Sequence, residues 1–435
     1  MERRVIDMLS HARAVWFLFI VLLFVLTTSH PASAQTQWTK PSVYQAWIGY
    51  NNMFYAKGAN GGHIVTAKQS GSTSTSFWEE AEEIEIVDDA YDWSIANDPT
   101  NDHSKYVDEI NNLCTGFVDN MPSRFVGPGG KYDWSGDLFN DDLDWAVIAF
   151  VRAYQITGNS SWLAAAETNF NTVWTRGQAP GGQGNGLSGL IQSQPHGSKW
   201  SQNLDSPVNF TFVIAGYLLY DNTRDVTYKQ EADNVYSWAI DHLYSIKVNG
   251  GVCNGHPGLT CAKIFDSTTG HSDYTYNYGI AIQAATRAGD SIKAQYIADW
   301  LMYNSNNPNY PYAGTYTFRG VQYNVLPNYH QGGNNDDGYN GIALRGVGFG
   351  YSRGTLNATT LAWAQANLQA AWELRNSADV MWNDWDNQPI PLPVTPNSGL
   401  YSWDCSSAIA GMLDIPTHPM TQADADDHSG DTAPQ

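Results

Sequence analysis

The chain has 435 residues, 42% hydrophobic and 13% aromatic, enough for a large core in one big domain or two ordinary ones. A net charge of −21 argues against nucleic acid and anionic membrane surfaces as partners, because both repel an acid-rich protein, and it disfavours a strongly anionic substrate. Only 15% of residues are charged, while 17 Trp, 25 Tyr and 39 Gly fit an exported carbohydrate-active protein better than a cytosolic enzyme.

In chain order, Arg3, Arg4 and Arg13 precede an apolar run from Ala14 to Leu26, and Ala32-Ser33-Ala34 supplies a small-residue cleavage pattern. Residues 1–34 therefore read as a signal peptide and Gln35 as the mature N-terminus. No later run approaches eighteen apolar residues, so no membrane span is expected after cleavage. Val43, Ala46, Trp47, Tyr50 and Phe54 share one helical face, and the Gly/Ser stretch from 57 to 76 reads as a loop. Helices are expected from Trp78 to Trp93, acid-rich but with Trp78, Ala81, Ile84 and Val87 in register, and from His103 to Met121. Phe125 to Gly130 is a Gly/Pro breaker.

After the breaker comes Asn140-Asp141-Asp142-Leu143-Asp144-Trp145, three carboxylates at the start of an apolar helix. Gly158 stops that helix, and Asn159 or Ser160 caps the next. Gly289-Asp290-Ser291 repeats the pattern between Asn277 and Trp300, and paired apolar periods recur over 210–244 and 341–374. About twelve helices in hairpins, with no convincing alternating strand, predict an all-α (α/α)6 barrel in a single domain over 35–417. Residues 418–435, with Asp424, Asp426 and Asp427 among small polar residues, read as a disordered acidic tail.

Adjacent helical residues point about 100° apart, so Asp141 and Asp142 can reach one ligand from two angles, with carboxyl groups about 5 Å apart. That suits a retaining glycosidase: one carboxylate attacks the anomeric carbon, and the other, its pKa raised by burial and its charged neighbour, protonates the leaving oxygen. Acidic residues also favour helix N-termini for the dipole and for capping, a structural reading of the same pair.

Other loop residues have similar double readings. Asn277 opens a helix and either caps it or contacts sugar; Asp336 and Asp337 follow a Gly/Asn-rich loop as caps or hydroxyl acceptors. Asn209 begins an apolar helix, Lys199 can pair with an acid, and Gly181 to Gly189 reads as a cleft-edge or merely flexible loop. Trp134, Trp145, Tyr274, Tyr276 and Tyr339 lie near these loops, where an aromatic face can stack on a pyranose ring. His196, His271 and His330 lack metal-ligand spacing, no cysteines form CxxC, and His256 stands alone beside Cys253 and Cys261, so neither a metal nor another cofactor is expected. Cys253 and Cys261 flank a short Gly/Pro loop and form the first expected disulfide; Cys114 and Cys405 form the second if a closed ring brings the ends together.

Several ordered motifs resemble glycoside hydrolase family 76, the endo-α-1,6-mannanases and their fungal cell-wall relatives. They are Asn140 to Trp145 with Arg152-Ala153-Tyr154 and Thr157-Gly158, Ser198 to Asn209, Tyr274 to Gly279, Asp337 to Ile342 with Arg345, and Trp403-Asp404. The resemblance spans about Trp78 to Pro416. It implies an (α/α)6 barrel and retaining hydrolysis of α-1,6-mannosidic bonds, with Asp141 as nucleophile and Asp142 as general acid/base. It also implies sugar contacts from Asn140, Trp145, Asn209, Tyr276, Asn277, Asp336, Asp337 and Tyr339. Tyr339-Asn340 stands where relatives usually carry Phe-Lys, and Ala146 where a second Trp is common, which leaves room for another α-linked glycan. The expectation is a secreted or periplasmic, monomeric polysaccharide hydrolase; the alternatives are a transglycosylase and a non-catalytic glycan-binding protein.

Overall fold

The computed structural model describes residues 37–58, 62–65, 76–100, 102–178, 189–193, 203–246, 252–253, 256–270, 272, 274–303, 314–327, 338–383, 385 and 401–417. The expected signal peptide, the acidic tail, Lys199, Asp336, Asp337 and the Gly-rich stretch up to 188 lie outside them. The chain divides into residues 40–417 and a second unit of 1–39 with 418–435, of which only 37–39 are described, without helix or strand.

Among the described residues of 40–417 there are twelve α-helices. They are α1 (Lys40–Phe54), α2 (Phe77–Asn97), α3 (Ser104–Asn120), α4 (Asn140–Thr157), α5 (Ser160–Gly177), α6 (Ser206–Thr223), α7 (Val226–Leu243), α8 (Thr275–Arg287), α9 (Ser291–Tyr303), α10 (Tyr339–Ser352), α11 (Ala358–Glu373) and α12 (Ser402–Asp414). The even-numbered helices pack in sequence, α2 on α4, α4 on α6, α6 on α8, α8 on α10 and α10 on α12, and α12 returns to α2. The odd-numbered helices back this ring: α3, α5, α7, α9 and α11 each follow their inner partner after a short connection, and α1, from the other end of the sequence, packs on α12, which is an (α/α)6 barrel.

The inner helices are nearly continuous in burial because they face packed neighbours on every side: α6 buries every residue from Ser206 to Leu219. The outer helices are amphipathic; α1 buries Val43, Ala46, Trp47, Tyr50 and Phe54, the face legible in the sequence. The α8–α10 crossing is close because a Cβ at Gly279 would collide with the Ile342 carbonyl, and one at Gly346 with the Gly279 backbone. Hairpin punctuation is as expected: Gly158 ends α4 in the left-handed region at φ 70°, and the Asn159 side chain caps α5 by accepting from the Ser161 amide.

Three features go against the sequence reading or beyond it. Short antiparallel pairs do occur: β1 (Tyr55–Lys57) with β2 (His63–Val65), β3 (Tyr244–Ser245) with β6 (Lys263–Ile264), β4 (Val252–Cys253) with β5 (His256–Thr260), and β7 (Gly314–Phe318) with β8 (Val321–Val325). The last is a five-rung hairpin closed by Arg319-Gly320, both at positive φ as a tight hairpin turn requires. Second, the acids of α2 point inward: Glu82, Glu83, Glu85, Asp88 and Asp89 are all buried. Third, the Cys253–Cys261 disulfide is present, whereas no disulfide joins Cys114 and Cys405, both of them buried. Cys114 sits on outer helix α3 and Cys405 on inner helix α12, and α2 packs against both helices, so ring closure brings the ends together without juxtaposing these two residues.

Candidate active site

Asp141 and Asp142 occupy the first turn of α4, where backbone N–H groups without helical partners and the positive end of the helix dipole face outward. The inner helices run in one direction, so their N-termini gather at one end of the barrel. There they enclose a cleft of 290 Å3 lined by Ser76, Trp78, Phe139, Asp141, Asp142, Trp145, Gln192, Pro207, Tyr276 and Tyr339. Five of the ten are aromatic, and none is basic. Trp78 is the hub of the wall: its ring lies 4.9 Å from Trp403 edge-on, 6.1 Å from Trp145 and 6.3 Å from Tyr339. Tyr276 and Tyr339 continue the wall with centroids 4.1 Å apart.

Both carboxyl groups are held protonated to unusually high pH. Burial pushes Asp141 up to about 7; hydrogen bonds from its own turn and from Gln192 act against that, and the charge of Asp137 adds to it. Asp142 is pushed well above the usual carboxylate range by burial and then by Asp141, with Asp137 and Glu79 adding and Arg176 opposing. Asp141 Oδ1 is buried without a hydrogen-bond partner, a buried acceptor at the cleft that the fold itself does not satisfy. Asp144, the third carboxylate of the motif, is fully buried between α4 and α6 with Thr211 Oγ1 at 3.5 Å, away from the cleft.

The structure brings Trp145, Tyr276 and Tyr339 to the cleft beside the Asp pair. Asn140 and Asn209 are not surface groups there. Asn140 is fully buried; its Nδ2 donates to Ile191 O at 2.7 Å, and its Oδ1 accepts from Arg176 Nε at 2.5 Å. Asn209, also fully buried, exchanges two bonds with the Leu190 backbone and donates to Asp205 O. Both amides are engaged by buried hydrogen bonds and anchor the strap 189–193, which supplies Gln192 to the cleft wall. Asn277 is fully buried and does not cap α8, whose N-cap position is Tyr274; its Nδ2 donates to Asp266 Oδ1 at 2.9 Å while its Oδ1 has no partner. Trp134 is a core residue packed on Phe150 and Phe117. Sequence reading missed Trp78, Phe139 and Gln192 as wall residues. Trp78 was legible only as a core position of an amphipathic helix, and Phe139 carried the signal of an apolar residue just before the helix, now 43% exposed at the rim.

A larger cavity of 630 Å3 opens at the opposite end of the barrel, lined by residues that include Arg152, Arg345 and, from α2, Glu85, Asp89 and Asp92. It is crossed by ion pairs. Arg152 binds Asp89 at 2.5 Å, Asp92 at 3.0 Å and Glu85 at 3.3 Å, and Arg345 binds Glu82 at 2.5 Å and Asp89 at 2.8 Å. Arg345, drawn by resemblance into the motif set, thus belongs to a network that ties α2 to α4 and α10, not to the cleft. Among the described residues no cluster of His, Cys, Asp and Glu has metal-binding geometry, and no helix is long and apolar enough to cross a membrane.

The family model for glycosyl hydrolase family 76 matches residues 47–388, most of the barrel. The chain belongs to this family. It is a glycoside hydrolase with the family's helical barrel. Solved structures of similar fold include a family 76 α-1,6-mannanase from Salegentibacter sp., at 18% identity and TM-score 0.62, covering 86% of this chain and 98% of that one. The same protein was solved as an inactive variant, with two consecutive aspartates replaced, in complex with α-1,6-mannotetrose. A family 76 mannosidase from Bacteroides thetaiotaomicron matches at 14% identity, TM-score 0.61, over 86% of this chain and 96% of that one. Dfg5 from Chaetomium thermophilum, in complex with glucosamine, matches at 14% identity, TM-score 0.57, over 86% and 89%. None of the curated proteins compared matches the chain.

Proposed function

We propose that the protein is an exported, retaining endo-glycosidase that cleaves α-1,6-mannosidic linkages, with Asp141 as nucleophile and Asp142 as general acid/base. The observation that carries the reading is the pair itself: two adjacent carboxyl groups on one helical turn, both held above the ordinary carboxylate range, lining an aromatic-walled cleft. The Salegentibacter enzyme, inactive with two consecutive aspartates replaced, supports the same pair here.

The electrostatics supply a division of labour. Two interacting carboxyls lose protons in two steps, and ionisation of Asp141 raises Asp142 further, so the singly protonated pair keeps its proton on Asp142. In the first step Asp141 attacks the anomeric carbon from the face opposite the leaving group, while Asp142 gives its proton to the glycosidic oxygen. In the second step Asp142, now a carboxylate, takes a proton from water, which displaces Asp141 and restores the α configuration. Trp78, Trp145, Tyr276 and Tyr339 offer faces for pyranose rings, and the absence of basic lining among the described cleft residues suits a neutral glycan. The Arg3–Leu26 pattern and the Cys253–Cys261 bridge support export.

The test is incubation of residues 35–435 with linear α-1,6-mannan, with products read by mass spectrometry and anomeric configuration by proton NMR. Short oligosaccharides released first as α anomers support the reading. Products longer than the starting chains point to transfer in place of hydrolysis, and β anomers exclude retention.

A further inference from the structure

Arg176, in the last turn of α5, is a residue that no motif singles out. A basic residue there is ordinarily explained by the negative end of its own helix. Its hydrogen bonds do not follow that explanation, because none of them goes to α5. Nε donates to Asn140 Oδ1 at 2.5 Å, Nη1 to Ser135 O at 3.1 Å and Nη2 to Phe139 O at 3.3 Å. All three acceptors belong to the segment that leads into α4 and ends immediately before Asp141. The guanidinium fork thus grips the chain at the residue preceding the acid pair, with a planar geometry that an ammonium group cannot reproduce.

We propose that Arg176 is the positioning residue of the acid pair: its fork fixes the first turn of α4, and its charge lets one of two crowded carboxyls ionise. The proposal rests on the catalytic reading of Asp141 and Asp142 given above. The pair is otherwise ringed by acids and phenols: Asp137 from the preceding loop, Glu79 from α2, Asp144 from α4 itself, Asp205 from the start of α6, Tyr276 from α8 and Tyr339 from α10. Arg176 acts in the opposite direction on Asp137, Asp142 and Asp144; burial lowers its own pKa below the usual guanidinium value, and the charges of Asp137, Asp144, Asp133 and Asp141 offset part of that. Asn140 relays the grip further, since its Nδ2 holds Ile191 and its backbone N–H donates to Gln192 O at 2.6 Å, so the strap carrying Gln192 is fixed by the same clamp.

The sign of the effect follows. Without the positive charge, carboxylate forms lose stabilisation and both titrations move to higher pH. The experiment compares the pH profiles of kcat/KM on linear α-1,6-mannan for the wild type, Arg176→Lys and Arg176→Met, with circular dichroism and Tm recorded for each. For Arg176→Met the proposal predicts a fall of about 100-fold at the wild-type optimum and an upward displacement of both limbs by about one pH unit. Arg176→Lys, which keeps charge but loses the fork, is predicted to keep the limbs within a few tenths of a unit while kcat still falls about tenfold. A merely structural arginine would lower Tm and amplitude without moving either limb. An Arg176→Met profile with unmoved limbs overturns the proposal while leaving the catalytic pair intact; if that variant does not fold, an Arg176→Lys enzyme with wild-type kcat overturns it. A wild type that does not cleave mannan removes the catalytic reading and this proposal together.

Discussion

Arg345 on α10 donates from Nε to Asp89 Oδ2 on α2 at 2.8 Å, across 256 residues of sequence, and the other oxygen of the same carboxylate accepts from Arg152 on α4 at 2.5 Å. One buried carboxylate therefore joins three of the six inner helices at the end of the barrel opposite the cleft. Burial pushes the Asp89 carboxyl up, but the two guanidiniums more than offset it and hold its pKa below the ordinary value, so it is a permanent anion. Replacing Arg345 by Met strands Glu82 without its partner and leaves Asp89 to Arg152 alone, and breaking a buried pair from one side costs about 3–5 kcal/mol. The expected result is a Tm lowered by about 5 °C or more in a calorimetric scan. An unchanged Tm would mean that the network is not a structural closure.

The Asp pair should weaken the fold it serves. Asp141 holds its proton to about pH 7 in the folded chain but only to about pH 4 when unfolded. Between those values the folded state binds more protons, so stability is full at the acid end and falls as pH rises through the folded value. Asp141→Asn removes this loss. Its Tm should match wild type near pH 4 and exceed it near pH 8 by on the order of 2 °C, measured by parallel thermal melts.

The barrel was legible in the sequence because its hairpins are punctuated by residues with local mechanisms: Gly158 at positive φ, Asn159 as a side-chain cap, Gly289 at the equivalent turn. The Asp pair was legible for the same reason, as acids at a helix start. What sequence periodicity missed lies in tertiary relations. The α2 acids look like a solvated face until two arginines from distant helices meet them, and Asn140 and Asn209 look like polar contacts for sugar until the strap 189–193 engages them. The β7–β8 hairpin escaped because five-residue strands carry little periodicity beside long helices, although Arg319-Gly320 is a hairpin-turn dipeptide.

The thiols provide a direct check on the topology. Cys253–Cys261 closes a loop of separation 8, while Cys114 and Cys405 are buried and form no disulfide. Thiol titration should find none reactive in the native oxidised protein, two after denaturation, and four after denaturation and reduction. A second bridge would leave none after denaturation. Reducing the 253–261 bridge should cost no more than about 2.5 kcal/mol in the chain-entropy model and leave activity at the distant cleft unchanged.

The aromatic wall should act on binding more than on chemistry. Trp78 is partly exposed to the cleft and contacts Trp145, Tyr339 and Trp403. Stacking of this kind is worth about 1 kcal/mol, so Trp78→Leu should raise KM about fivefold with a smaller change in kcat. Steady-state kinetics on mannan-derived oligosaccharides of increasing length provide the readout.

The roles of Asp141 and Asp142 can be separated by azide, a small nucleophile that needs no base. With an activated aryl α-mannoside, azide should restore turnover to Asp142→Ala by attacking the glycosyl-enzyme, giving α-mannosyl azide. In Asp141→Ala it should occupy the space of the lost carboxylate and give the β product. NMR of the two isolated azides decides the configuration. The assignment predicts α from Asp142→Ala and β from Asp141→Ala; the reverse pattern, or undiminished turnover in either variant without azide, contradicts it.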